Sequence, residues 1–218
     1  MNAIGQALLN VLGRLPAAPE VPVAVSGGLD AWVLALLLRH LGRRVRAYTL
    51  VSNVPGYCEW ERTQSLAKQF NVPLEPVPAP DFHSALPRFL RVTRTPIYSL
   101  HPVSKLLLAE AFAARGIPWV VTGDAADQVF RCESQCDLLP LTEACFAHCH
   151  VQLITPFLAP EVQSLCLIPD PAKLPLRELA ASLGIPPIPK SPAIFPGESI
   201  LLKTSNMLEA RPCAASPD

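Results

Sequence analysis

Two short loops of the chain combine glycine with aspartate, and each directly follows an apolar run. The first loop runs from Ser26 to Asp30, and the second runs from Gly123 to Asp127. Glycines let backbone N–H groups approach an anion closely, and a helix that begins in such a loop adds unpaired N–H donors. Since an aspartate does not attract phosphate, the natural partner of Asp30 is Mg²⁺, which bridges phosphates. An ordinary strand-to-helix turn explains the Gly-Gly pair alone equally well.

A second group of reactive residues is formed by cysteines. Cys132 and Cys136, and again Cys145 and Cys149, stand four residues apart. Residues at this spacing share one face of a helix, and four thiolates together can hold Zn²⁺ or an iron–sulfur cluster. Because the spacing is not CxxC, buried and inert cysteines are the competing interpretation, and redox or persulfide chemistry is a third.

The hydrophobic pattern predicts elements that position the two loops. Apolar runs predict strands at 21–25 and 119–122, alternation predicts a strand at 44–51, and a further short strand is predicted at 73–77. Helical spacing predicts helices at 3–15, 31–41, 59–70, 81–92, 103–115 and 174–183, with the helix at 81–92 interrupted by Pro87. This alternation predicts an α/β fold, a doubly wound parallel sheet of about five strands with helices on both faces. Ligands of such sheets bind beyond the carboxyl ends of the strands.

The composition excludes several classes of protein. The 218 residues are 50% hydrophobic, so they predict a folded chain; we expect one domain over 1–204, with a cysteine-rich insert at 131–150 and a disordered tail at 205–218. Basic and acidic residues number 18 each, which argues against a nucleic-acid partner. No apolar run is long enough to cross a membrane and no basic signal region is present, so we expect a cytoplasmic protein with reduced thiols.

Four segments resemble, in the right order, motifs of one enzyme family. "VAVSGGLDAWVLALLL" resembles the SGGxDS loop of the PP-loop ATP pyrophosphatases, which have the adenine nucleotide α-hydrolase-like fold. "VVTGDAADQVF" resembles the GDGADELFGGY loop of the synthetase domain of glutamine-dependent asparagine synthetases. "VQLITPFLAPEV" and "KLPLRELAASLGIPPIPKSPAIFP" resemble the VRxPFLD segment and the closing stretch of the same domain. The resemblance implies an enzyme that splits ATP into AMP and pyrophosphate.

The resemblance also implies phosphate and metal ligands. Ser26, Gly27, Gly28 and Asp30 match the loop that holds the pyrophosphate half of ATP and its Mg²⁺. Asp127 matches the aspartate that joins Asp30 on the metal.

The other matching positions surround the nucleoside and the reacting carbonyl. Leu50 and Val51 match the adenine contact, and Thr122 and Gly123 match backbone beside the adenosine. Lys190 matches a lysine that stabilises charge at the adenylated carbonyl or the pyrophosphate. Asp124 is a candidate for polarising the incoming nucleophile.

The chain departs from the family pattern in four respects. Ala31 replaces a serine of the phosphate loop, Gln128 replaces a glutamate, and no Gly-Gly-Tyr follows Phe130. The glutaminase half, with its N-terminal cysteine nucleophile, is expected to be missing, because residue 2 is Asn2. The expected nitrogen source is ammonia, another amine or a separate glutaminase.

Three functions remain open. The first is an AMP-forming amide ligase that acts on a small-molecule or peptide substrate, with no nucleic-acid or membrane partner and with a homodimer as one expected assembly. The second is a PP-loop sulfur-transfer enzyme that uses the cysteines and a sulfur donor protein. The third is a degenerate protein that binds a nucleotide without catalysis, which the substitutions at Ala31 and Gln128 favour.

Overall fold

The structure is a computed structural model that describes residues 1–52, 59–79, 81–97, 100–131 and 138–188. Lys190, Cys132, Cys136 and the expected tail lie outside these residues. The elements in chain order are α1 (Ala3–Gly13), β1 (Val21–Ala24), α2 (Leu29–His40), β2 (Val45–Ser52), α3 (Trp60–Gln69), β3 (Leu74–Ala79), α4 (Phe82–Thr93), α5 (Val103–Ala114), β4 (Trp119–Thr122), α6 (Ala126–Val129), α7 (Leu139–His148), β5 (Gln152–Ile154), a 3₁₀ turn (Pro156–Leu158), α8 (Pro160–Gln163) and α9 (Leu174–Ser182).

The five strands form one parallel sheet in the order β3-β2-β1-β4-β5. Consecutive residues of β4 show that helices cover both faces. Val120 packs in the cluster formed with α4, α5 and α7, whereas Val121 packs in the cluster formed with α1, α2 and α9. Because adjacent residues of a strand point to opposite faces, the sheet is doubly wound, and the predicted fold class is confirmed.

One strand was not predicted from the hydrophobic pattern. β5 has only three residues, and none of them is fully buried because the strand lies at the edge of the sheet. It pairs with β4 through Trp119–Gln152 and Val121–Ile154. A segment this short and this exposed carries neither an apolar run nor a clear alternation.

The prediction that Pro87 interrupts a helix was wrong, since α4 is continuous from Phe82 to Thr93. Asp81 caps its first turn by accepting hydrogen bonds from the N–H groups of His83 and Ser84. The helix buries an apolar face that includes Phe82 and Phe89. Proline costs a helix about 3 kcal/mol, and burying two phenylalanines offsets that amount.

The cysteine-rich segment contains a helix that its weak periodicity did not indicate. α7 begins at Leu139, with proline in its first turn, and buries Thr142, Cys145 and Phe146. It packs against α5 and α4. Alanine and cysteine occur both inside and outside proteins, so a helix rich in them gives little amphipathic contrast.

No described helix is both long enough and apolar enough to cross a bilayer.

A glycine allows the two glycine–aspartate loops to touch. A Cβ atom added to Gly123 would lie 2.7 Å from the backbone nitrogen of Ala31 and 2.9 Å from Cβ of Asp30. Real Cβ atoms do not approach other atoms this closely, and one of the two clashing atoms belongs to the backbone. The loop after β4 therefore packs against the start of α2 only because residue 123 has no side chain.

We predict that Gly123→Ala lowers the free energy of unfolding by at least about 2 kcal/mol, because the two loops must separate. Gly13→Ala is the matched control, since nothing lies within 4 Å of a Cβ added there. In that exposed helical position alanine should be neutral or stabilising by about 0.5 kcal/mol. Denaturant titration of both variants measures the difference, and equal stabilities would contradict the close contact of the loops.

Candidate active site

The two glycine–aspartate loops lie at the carboxyl edge of the sheet, where β1 and β4 are neighbours. The strands pair through Val23–Val121 and Ala24–Thr122. From β1 the chain continues to β2 on one side, and it later returns to β4 on the other, so the strand order reverses between them. This crevice is where open α/β sheets bind their ligands.

The loop from Ser26 to Gly28 is fixed by hydrogen bonds within the protein and leads into a helix that has no side-chain cap. The indole N–H of the fully buried Trp32 donates to the carbonyl oxygen of Ser26 over 2.8 Å. The N–H of Gly28 donates to Oγ of Ser26 over 3.1 Å. No side chain caps α2, which begins at Leu29. The N–H groups of its first turn therefore retain donor capacity, and the helix dipole favours a negative group there.

A single lysine joins the two loops. Nζ of Lys173 lies 2.8 Å from Oδ2 of Asp30 and 3.1 Å from Oδ1 of Asp127. The Lys173 side chain is 10% exposed, whereas that of Asp30 is 25% and that of Asp127 is 43% exposed. The two aspartates that the sequence assigned to a metal therefore do face one cation position, and the ammonium group of Lys173 lies there.

The charges of this group depend on one another. Burial raises the pKa of Asp30, although the nearby Lys173 opposes that effect. Burial lowers the pKa of Lys173, but the carboxylates of Asp30 and Asp127 outweigh burial, and the net pKa of Lys173 is raised. Lys173 is therefore charged at neutral pH, and its charge offsets much of the repulsion between the two aspartates.

The donor set fits a Mg²⁺ ion that arrives with a phosphate. Oδ1 of Asp30 is buried and accepts no hydrogen bond from any described residue. Such an atom is costly unless a ligand completes it, and Mg²⁺ in nucleotide sites takes one or two carboxylates together with phosphate oxygens. Within the described ranges, no group of three or more His, Cys, Asp or Glu side chains could hold a metal by itself. Asp30 and Asp127 are therefore fitted for a shared metal rather than for a metal held by the protein alone.

The sequence pattern did not indicate Lys173; the lysine that the resemblance implies is Lys190, which lies outside the described residues. Lys173 stands immediately before α9 with φ 53°, a left-handed conformation that lysine rarely adopts. A lysine at a helix N-terminus is also electrostatically unfavourable and does not cap the helix. Both features indicate that the lysine at position 173 is present for what its side chain does. The left-handed backbone conformation is seen only in the structure, whereas the unfavourable charge before a helix can be noticed in the sequence.

A second ion pair lies on the other side of the loop after β4. Nζ of Lys105, on α5, is 2.7 Å from Oδ1 of Asp124, and both side chains are about one fifth exposed. Burial lowers the pKa of the nearby His101 to about 4, so its imidazole is neutral at pH 7. Asp124 is therefore paired with the cation of Lys105, whereas Asp30 and Asp127 are paired with that of Lys173.

The positions assigned to the nucleoside lie at the ends of neighbouring strands. Leu50 and Val51 are half-buried near the end of β2, and Thr122 is the buried last residue of β4. The N–H of Asp124 donates to Oγ1 of Thr122 over 3.4 Å. Because β1 lies between β2 and β4, these residues flank the loop from Ser26 to Gly28 on both sides.

The cysteine cluster finds no support in the described residues. Cys145 is fully buried in the core, and burial raises the pKa of its thiol to about 12, so it is not a thiolate at neutral pH. Burial also raises the pKa of Cys149 and of Cys166. The other two members, Cys132 and Cys136, lie outside the described residues, and the two that are described are better explained as packing residues.

Two further residues show how the chain departs from the pattern it resembles. Ala125 occupies the position of a glycine in GDGADE and has φ 72°, which is strained for alanine. Asn2 accepts a hydrogen bond from the N–H of Gly5 and donates one to the carbonyl oxygen of Pro175. Asn2 therefore caps α1 and ties it to α9.

The comparison with protein families agrees with this geometry. The family model described as asparagine synthase matches residues 8–183, a range that contains both aspartate loops and Lys173. A comparison with curated proteins gave no significant match. The match covers well over half of the chain, and the chain therefore belongs to the asparagine synthase family.

Proposed function

We propose that the protein is an ATP-dependent ligase that adenylates a substrate carboxylate and transfers the acyl group to an amine. Membership of the asparagine synthase family implies an ATP-dependent ligase. The observation that carries the finer proposal is the convergence of Asp30 and Asp127 on one cation position beside the uncapped start of α2. That arrangement suits a bound nucleotide whose pyrophosphate half is the leaving group.

The proposed reaction has two steps. A substrate carboxylate oxygen attacks the α-phosphorus of ATP, and the bond from that phosphorus to the bridging oxygen breaks as pyrophosphate leaves. An amine then attacks the acyl carbon, AMP leaves, and the amine loses a proton. A Mg²⁺ ion held by Asp30 and Asp127 would neutralise charge on the pyrophosphate.

The chain's own groups account for orientation and charge in the first step. The N–H groups of Gly27 and Gly28 and of the first turn of α2 would bind the pyrophosphate. The ammonium of Lys173 is within reach of the same region and would shift from the aspartates toward the leaving group. Lys190 keeps the role that the resemblance implies, as a second cation near the reacting carbonyl.

The second step requires a proton acceptor. Asp124 lies at the same edge of the sheet, where its carboxylate forms an ion pair with Lys105. A carboxylate in that state can accept a proton from the attacking amine, directly or through a water molecule. The amine would come from ammonia, a small molecule, a peptide or a separate glutaminase subunit.

Sulfur transfer is a weaker candidate. A persulfide carrier must be a reactive thiolate, and the buried Cys145 has its thiol pKa raised to about 12. Non-catalytic nucleotide binding would keep the phosphate loop without needing the Asp30 and Asp127 pair. The presence of an aspartate at both positions of the motif that the chain resembles, with the ammonium of Lys173 between them, favours catalysis.

We predict that Asp30→Asn and Asp127→Asn each lower Mg²⁺-dependent AMP formation at least about 100-fold, because each removes a carboxylate from the metal. Release of AMP and pyrophosphate from ATP, in the presence of candidate carboxylates and amines, is the measurement. Asp81→Asn is the matched control, since Asp81 only caps α4 and asparagine caps helices equally well. Full activity in both site variants would exclude the assignment.

We also predict that Lys173→Met lowers the free energy of unfolding by about 1–3 kcal/mol, because two partly buried carboxylates lose their counter-charge. Millimolar Mg²⁺ without nucleotide should restore much of this loss, since the aspartates are then open to the ion. Thermal melting with and without Mg²⁺ measures both effects.

The wild-type protein should respond little to Mg²⁺ alone, since the ammonium of Lys173 already occupies the cation position between the two carboxylates. Lys68→Met is the control, because Lys68 is exposed on α3. If Lys173→Met melts at the wild-type temperature and gains nothing from Mg²⁺, the three side chains do not form one cation site.

A further inference from the structure

The phosphate loop is in contact with an internal anion. Oε2 of Glu59, the residue before α3, accepts a hydrogen bond of 3.0 Å from the N–H of Gly27. The other carboxylate oxygen, Oε1, lies 3.6 Å from Nη1 of Arg62. A carboxylate therefore takes up an N–H group that belongs to the loop expected to bind pyrophosphate.

This pair of side chains packs directly on the loop. A Cβ atom added to Gly27 would lie 2.9 Å from Cδ of Arg62 and 3.1 Å from Cβ of Glu59. The stem of Arg62 and the side chain of Glu59 therefore both contact the Gly27 backbone. Any group that binds to the N–H of Gly27 meets a guanidinium and a carboxylate at once.

The charges of the pair have opposite consequences for a polyphosphate. The Glu59 carboxylate repels it and competes for the same N–H donor, whereas the Arg62 guanidinium attracts it. The present contact of Arg62 with Glu59 is weak, since the two atoms are 3.6 Å apart and the Arg62 side chain is 39% exposed. A phosphate offers a guanidinium a better partner than a distant carboxylate, because its oxygens fit the planar fork.

We propose that Glu59 and Arg62 exchange partners when the nucleotide binds, so that Glu59 leaves Gly27 and Arg62 moves from Glu59 to the phosphate. The proposal rests on the proposed function, because it takes the loop at Gly27 as the pyrophosphate site. In this proposal the carboxylate of Glu59 occupies the phosphate position when no nucleotide is bound, and Arg62 is a phosphate-binding residue on α3. Arg62 then supplies a donor beside a loop in which residue 31 is alanine and offers none.

If the exchange occurs, substitutions of Glu59 and Arg62 should change the affinity for pyrophosphate in opposite directions. Glu59→Gln keeps an acceptor for the N–H of Gly27 but removes the charge, so it should bind pyrophosphate more tightly. Arg62→Gln removes the cation and should bind pyrophosphate more weakly. Glu61→Gln and Lys68→Gln make the same two charge changes at exposed positions of the same helix, and they control for the net charge of the protein.

The test is calorimetric titration of the full chain with inorganic pyrophosphate in saturating Mg²⁺, and separately with adenosine. We expect Glu59→Gln to raise the pyrophosphate affinity about 3- to 10-fold and Arg62→Gln to lower it about 3- to 10-fold, the range for partly exposed charges. Both controls should stay within about twofold of wild type. Adenosine affinity should be the same in all five proteins, because the proposal places the pair at the pyrophosphate and not at the nucleoside.

Two results would overturn the exchange. An unchanged or weaker pyrophosphate affinity in Glu59→Gln would show that the carboxylate does not compete with phosphate. An unchanged affinity in Arg62→Gln would show that the guanidinium never reaches it. In both cases the proposed function stands, provided that wild type binds pyrophosphate. A wild-type protein that binds neither pyrophosphate nor ATP would contradict the proposed function itself and the exchange with it.

Discussion

The site depends on one electrostatic constraint, which is that Asp30 and Asp127 lie close enough to need a shared cation. Lys173 supplies that cation from a position 143 residues beyond Asp30 in the chain. Its ammonium ties together the start of α2, the short helix α6 and the residue before α9. Without this charge, the two carboxylates would repel one another at the point where the two loops are packed most tightly.

The sheet and a single glycine create this constraint. The reversal of strand order puts the ends of β1 and β4 side by side, and Gly123 lets the following loop contact the backbone of Asp30 and Ala31. The aspartates are then held by rigid elements rather than by a flexible loop, as a site that must orient a nucleotide requires. The second ion pair, between Lys105 and Asp124, lies beside this centre and gives a third carboxylate its own counter-charge.

The resting site thus contains charges that resemble those of its expected ligand. An internal ammonium lies between the two aspartates, and an internal carboxylate accepts a hydrogen bond from the phosphate loop. A bound Mg²⁺–nucleotide complex would bring the same two signs of charge to the same two places. This arrangement keeps a concentrated set of charges stable in the absence of ligand, because each charge has a partner within the protein.

The sequence predicted the fold well because alternation of strands and helices is a local signal. β1 and β4 are short and largely apolar, β2 shows the alternation of a strand, and the two glycine–aspartate loops follow directly from β1 and β4. The sequence did not predict β5 and α7, because a three-residue edge strand and a helix rich in alanine and cysteine show little contrast between apolar and polar positions. The roles of Lys173 and Glu59 were not predicted for a different reason. Their roles depend on contacts with residues 143 and 32 positions away, which no periodicity records.

The most direct test of this account is to map where a nucleotide-bound metal lies on the chain. Fe²⁺ replaces Mg²⁺ on ATP, and the hydroxyl radicals that it generates with peroxide and ascorbate cut the nearest backbone, which mass spectrometry then locates. The account predicts ATP-dependent cuts in two separate places, between Ser26 and Ala31 and between Gly123 and Gln128. Cuts confined to other parts of the chain, or cuts that do not depend on ATP, would contradict it.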